Sequence, residues 1–210
     1  TGLTASDGDS TAGVNLAWNA APGATRYKIF RGIGSASTDI TPATPLITGT
    51  SFIDTTAIPG TLYTYAVKAV GGGNVSDSQL SASDSGYRAL SQPTSVAATD
   101  GSSISNVTVS WTGSTGAVRY KIFRGIGSAS TDITPATPLI TGTSFIDTTA
   151  IPGTVYTYAV RAVGNPGIDD SAPSSSDTGY RVLSAAIPTG FGASDGTSTT
   201  GVSLVWSAAA

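Results

Sequence analysis

Proton transfer, nucleophilic attack and metal ligation in this chain would have to run on carboxylates, hydroxyls and cationic amines, because it contains no His, no Cys and no Met. Its 13 acidic residues are all Asp. Paired carboxylates can carry out glycoside hydrolysis, and Ser and Thr are abundant enough to offer nucleophiles. A hydroxyl nucleophile needs an adjacent base, however, and the usual imidazole is absent. Soft-metal sites of the zinc type have no ligands, and disulfides are excluded. The expected catalytic, cofactor and metal sets are therefore empty, and no enzyme is expected.

Individual aspartates support the same reading. Asp54 and Asp147 recur in identical surroundings at strand ends, where a carboxylate ordinarily bonds to loop backbone. Asp7, Asp9 and Ser10 offer oxygens to a hard cation such as calcium. The corresponding stretches Asp100-Gly101-Ser102 and Asp195-Gly196-Thr197 keep only one acid, so an Asp-Gly turn accounts for all three. Asp169-Asp170 reads as a solvated loop. Asn74-Val75-Ser76 and Asn106-Val107-Thr108 match the short glycosylation acceptor pattern. The formal net charge of −3 argues against a nucleic-acid partner. No apolar run approaches the ~20 residues of a membrane span, and no leader peptide is visible.

The elements that must position these groups are set by an internal repeat. Residues Tyr27 to Thr61 recur unchanged as Tyr120 to Thr154, 93 positions later over 35 residues. Trp18 aligns with Trp111, Tyr63 with Tyr156, and Gly86-Tyr87-Arg88 with Gly179-Tyr180-Arg181. A third copy begins near Pro188, with Trp206 in the place of Trp18. The units expected are 1–92, 93–187 and the first two strands of a third, 188–210, a window on a longer array.

Within a unit, hydrophobic alternation of period two marks strands. Val14, Leu16 and Trp18 point one way. Tyr27 and Ile29 alternate with Lys28 and Phe30, and Tyr63, Tyr65, Val67 and Ala69 alternate with Thr64, Ala66, Lys68 and Val70. Shorter candidates are Leu3 to Ala5, Pro45 to Thr48, Ser51 to Asp54 and Gly86 to Leu90. Turn chemistry at Asp7-Gly8, Pro22-Gly23 and Pro59-Gly60 separates them. Seven short strands per unit describe an all-β, two-sheet sandwich. So small a unit needs most of its apolar residues for closing the sheets, which leaves nothing buried and polar to do chemistry.

With these residues in view, each unit resembles a fibronectin type III domain, and the chain as a whole resembles tandem immunoglobulin-like β-sandwiches of that family in a bacterial secreted or surface variant. Trp18 and Trp111 match its second-strand tryptophan, and Tyr27-Lys28-Ile29 its third strand. Ile58-Pro59-Gly60-Thr61-Leu62-Tyr63 matches its sixth-strand entry. The resemblance implies that Tyr63 and Tyr156 are corner tyrosines bonding back to the backbone. It is specific for fold and silent on function.

Phe30 and Phe123 fall on the outer face, beside Ala66 and Val70 of the sixth strand, and these four are the candidate partner contacts. The 19-residue connection from Gly32 to Thr50, with Ile40, Pro42 and Pro45, is the segment placed to fold over that patch. Leu90-Ser91-Gln92-Pro93 and Leu183 to Pro188 are short connections with no flexible run, so successive units should form an extended line, each adding roughly 30–40 Å.

The leading expectation is a structural or adhesive segment of an extracellular or cell-surface array: a stalk, adhesin shaft or fibre, with lateral assembly into filaments as a variant. The alternative is a carbohydrate- or polymer-binding accessory module of a secreted multidomain protein. Expected partners are neighbouring repeats of the same chain, other copies of it, or surface glycans.

Overall fold

A computed structural model describes residues 2–183, 189–196 and 199–207. Among the described residues there are sixteen strands and no helix. In the first unit β1 (Thr4–Ala5) and β2 (Val14–Ala17) lie in one sheet with β5 (Ser51–Asp54), in the order β1-β2-β5. The facing sheet runs β4-β3-β6-β7, from β3 (Ala24–Gly32), β4 (Thr38–Asp39), β6 (Leu62–Gly71) and β7 (Asp84–Tyr87). All strand ladders within these two sheets are antiparallel, and a single parallel bridge joins Asp7 to Tyr87.

The second unit repeats the plan. Its smaller sheet holds β8 (Thr94–Ala98), β9 (Val107–Thr112) and β12 (Ser144–Asp147). Its larger sheet runs β11-β10-β13-β14, from β10 (Arg119–Gly125), β11 (Thr131–Asp132), β13 (Tyr156–Val163) and β14 (Asp177–Gly179). A final hairpin pairs β15 (Thr189–Ala193) with β16 (Leu204–Ser207) and leaves Phe191, Leu204 and Trp206 exposed. The expected boundary at 187/188, the Ser184–Pro188 part of the second connection, and Thr197 lie outside the described residues.

The period-two pattern is what closes each sandwich. Along β2 the burial alternates, with Val14 and Leu16 inward and Asn15 and Ala17 outward. Ile29 and Tyr65 meet them from the other sheet, fully buried. Each such side chain contributes roughly 1.5–3 kcal/mol through burial. Trp18 sets its indole edge-on to Tyr27 at 5.3 Å, and Trp111 repeats this against Tyr120 at 5.2 Å.

One expected strand is replaced. Pro45 to Thr48 forms no ladder; only Ile47 bridges to Tyr27, whose N–H donates to the Ile47 carbonyl at 2.8 Å. Pro42 and Pro45 lack N–H groups and interrupt any ladder there. The fourth strand is instead Thr38–Asp39, which turns straight back along β3 with Asp39 opposite Phe30. The Gly32–Thr50 connection thus runs along the free edge of β3 and sends Ile40 and Ile47 into the core from the side.

Candidate functional site

The polar groups held most firmly are the two strand-end aspartates. Asp54 ends β5 with 1% exposure, on the smaller sheet. Its Oδ1 accepts from the Thr56 N–H at 2.9 Å and the Thr56 hydroxyl at 2.7 Å. Its Oδ2 accepts from Arg31 Nη1 at 2.6 Å and from the Tyr65 hydroxyl at 3.0 Å. Arg31 and Tyr65 are direct cross-strand partners on the larger sheet, so the carboxylate ties the two sheets together. Asp147 repeats every bond with Thr149, Arg124 and Tyr158. The sequence reading foresaw the loop bond but not the buried ion pair, so the expectation of a core without buried charge is corrected. The reason is geometric: a strand-end position beside an inward Arg can bury a carboxylate only because that partner comes with it.

Burial alone would push the Asp54 carboxyl up. Hydrogen bonds from Thr56 and Arg31, with the guanidinium charge, outweigh this and hold it below the usual aspartate range. Asp147 is lowered on the same balance. Burial first, then the adjacent carboxylate, pushes the Tyr65 and Tyr158 hydroxyls up. Four donors occupy each carboxylate, and neither tyrosine can ionise near neutrality. The constellation can fix two sheets, but it has no acid or base poised to exchange a proton near neutral pH.

A second polar constellation bridges the two units. Tyr87 in β7 donates its hydroxyl to Asp169 Oδ2 at 3.1 Å. Asn165 donates through its side-chain Nδ2 to the Gly60 carbonyl at 3.1 Å. The Pro59-Gly60 turn lies so close to Gly116 that a Cβ there would overlap the Pro59 carbonyl. Leu90, at 4% exposure, is buried in the core of the second unit, and Pro93 is fully buried. Asp170 pairs with Lys121 at 2.6 Å. The pair read from sequence as a solvated loop is therefore anchored, with one carboxylate to the neighbouring unit and one to its own sheet. Between the units lies a cleft of about 450 Å³ that includes Asp9, Thr11, Tyr87, Leu90 and Asp169. Among the described residues no three acids are grouped to hold a metal ion.

The fold has clear relatives. A two-domain segment of chicken tenascin, described as fibronectin type III, superposes with a TM-score of 0.60, covering 84% of this chain and 95% of that one at 21% identity. Both complete units have the fibronectin type III fold. No protein-family model matches the chain. Exoglucanase B of Cellulomonas fimi is 32% identical over 231 aligned positions, which cover 99% of this chain and 19% of that protein. Chitinase A1 of Niallia circulans is 31% identical over 176 positions, 77% of this chain and 22% of that protein. The chain thus spans about a fifth of the length of the curated relatives it matches.

Within the fibronectin type III frame, the corner tyrosine departs from what the resemblance implied. The hydroxyl that reaches the loop belongs to Tyr65, two residues after Tyr63, and it lands on the Asp54 side chain rather than on backbone. The Tyr63 ring instead lies under the Arg31 guanidinium at 4.6 Å, and Tyr156 lies under Arg124 at 4.5 Å. Phe30 sits on the outer face opposite Ala66, half-buried. The Arg161 guanidinium lies over the Phe123 ring at 5.3 Å. Ala66 and Val70 are buried, so of the four candidate contacts in this patch the two phenylalanines carry the accessible surface. Asp7-Gly8 and Asp100-Gly101 form turns in which each glycine has positive φ and packs against a tyrosine ring, Tyr87 or Tyr180.

Proposed function

We propose that this chain is a non-catalytic accessory module of an extracellular multidomain protein acting on a glucan- or chitin-type polysaccharide. The observation that carries the reading is the extent of the match. Nearly the whole chain aligns with a fifth of an exoglucanase, and three-quarters of it with about a fifth of a chitinase. A part shared by two polysaccharide-degrading proteins of different substrate is suited to serving the catalytic part rather than replacing it. The chemistry of the chain is in keeping, because its buried carboxylates are fully engaged by Arg31, Tyr65 and Thr56 or their copies. Among the described residues no helix is long and apolar enough to cross a membrane.

In this reading the module is a spacer that holds flanking domains at a set separation, since the two units are joined by buried contacts rather than by a loose tether. The relatives favour it over a free-standing stalk, an adhesin shaft or a laterally assembled filament. To test it, the chain is set between a glucan-hydrolysing domain and a cellulose-binding domain, in place of a flexible Gly-Ser linker of equal residue number. Hydrolysis of a soluble oligosaccharide should be unchanged and hydrolysis of insoluble fibre should rise. Equal rates on fibre with either linker, or reducing ends released by the isolated chain, would count against it.

A second reading, direct contact with the polymer, rests on the half-buried Phe30 repeated as Phe123. Retention of the chain on cellulose or chitin particles, lost in a Phe30→Ala, Phe123→Ala double variant that melts normally, would favour it.

A further inference from the structure

The two complete units have the same sequence over most of their cores, yet one face differs in exposure between them. In the second unit Ala162, Ser171 and Ser174 are buried, at 0%, 4% and 8%. Their counterparts 93 positions earlier are more open: Ala69 and Ser81 are half-buried and Ser78 is exposed. The local bonding does not explain this, because both serine pairs make the same bonds to the adjacent strand. Ala69 and Val67 donate their N–H groups to the Ser78 and Ser81 hydroxyls at 3.0 Å, as Ala162 and Val160 do to Ser171 and Ser174.

Two things differ: the covering segment itself, where Ile168 is buried and its counterpart Val75 is exposed, and a neighbour. In the second unit Leu90 joins the core cluster that contains Trp111, Tyr120 and Ala162, and it lines the inter-unit cleft with Ser171 and Ala172. At the corresponding face of the first unit there is instead a cleft of about 260 Å³, bordered by Trp18, Tyr27, Ala69, Ser78 and Ser81. The backbone around it is shaped to match. Gly116 meets the Pro59 carbonyl of the preceding unit, whereas Gly23, with nearly the same φ, has open space where a Cβ would stand. The polar contacts are not duplicated, because Asp169 and Asn165 correspond to Ser76 and Gly72.

We infer that the cleft between Trp18 and the Ser78–Ser81 segment is a docking site for the junction segment of a further unit of this repeat, a leucine followed by serine and, at the fourth position, proline. The leucine seats beside Ala69 and Ser78, as Leu90 joins the cluster that contains Ala162 and lines a cleft with Ser171 in the second unit. The contact is carried by apolar burial and close glycine approach. This inference goes beyond the polysaccharide reading and stands independently of it.

The test extends the chain ahead of Thr1 by Leu-Ser-Gln-Pro, the residues of Leu90 to Pro93, with Ala-Ser-Gln-Pro as the matched comparison. Amide exchange is followed at Ser78 and Ser81, whose N–H groups donate to the Ala69 and Val67 carbonyls. The leucine extension should slow exchange there by on the order of tenfold and raise the melting point of the first unit, while the alanine extension should do neither. Equal effects, or none, overturn the inference. Leu90→Ala in the unextended chain should speed exchange at Ser171 and Ser174 relative to Tyr120; no change there would remove the equivalence on which the inference rests. Sedimentation showing that the unextended chain dimerises, and that Leu183→Ala abolishes the dimer, would assign the cleft to a second copy and overturn it as well.

Discussion

The Tyr87 hydroxyl of the first unit lies 3.1 Å from the Asp169 carboxylate of the second, across a junction that also buries Leu90. The polar contact is local and partly solvated, whereas the leucine is enclosed, and the two should differ in strength accordingly.

Tyr87→Phe removes one donor and leaves an exposed carboxylate that water can satisfy. It should cost about 0.5–1.5 kcal/mol or less in the coupling between units. Chemical denaturation followed separately at Trp18 and Trp111, the tryptophans of the two complete units, with Trp206 replaced by Phe, reads the change.

Leu90→Ala should be the more damaging, because it opens a cavity in the core of the second unit. A loss of about 2–5 kcal/mol is expected for that unit, with the first unit little altered. The same denaturation measurement separates the two, and an equal loss in both units would contradict the placement of Leu90.

Asp54→Ala leaves the Arg31 guanidinium and the Tyr65 hydroxyl without their shared acceptor. A destabilisation of about 3–5 kcal/mol is expected in the first unit, and Asp147→Ala should do the same in the second. Asp54→Asn should fall between the wild type and Asp54→Ala, since it keeps an acceptor but not the charge. Thermal melts of the three variants rank them.

The same carboxylates set the response to acid. Their folded-state pKa values lie below the ordinary aspartate value of 3.8, so the folded state binds their protons less readily than the unfolded chain. Their contribution is fully present above that ordinary value and is lost as pH falls through the lowered one. Stability should therefore fall below about pH 4, and Asp54→Asn with Asp147→Asn should flatten that fall. Melting points taken between neutrality and strong acid check it.

Gly116 and Gly23 occupy equivalent turns with positive φ, so Ala at either costs roughly 1–2 kcal/mol in backbone strain. Only Gly116→Ala also collides with the Pro59 carbonyl. It should lengthen the particle or widen its range of shapes in small-angle X-ray scattering, whereas Gly23→Ala should not.

Residue order along the chain was enough to specify the sandwich. Val14, Leu16, Tyr27, Ile29, Tyr63 and Tyr65 alternate with polar or small neighbours, and a pleated strand has no other way to bury such a set on one side. The exact recurrence at 93 positions made the duplication of that sandwich legible in the same way. Pairings between residues far apart in sequence were not legible, because alternation says which face a side chain takes and not what it meets there. The chain alone did not show that Tyr65 rather than Tyr63 reaches Asp54, nor that Thr38–Asp39 rather than Pro45–Thr48 forms the fourth strand. It also did not show that Leu90 crosses from the unit it ends into the core of the next. Those outcomes depend on how two sheets and two units approach one another. The deciding distances, a few ångströms between groups tens of residues apart, exist only once the chain is folded.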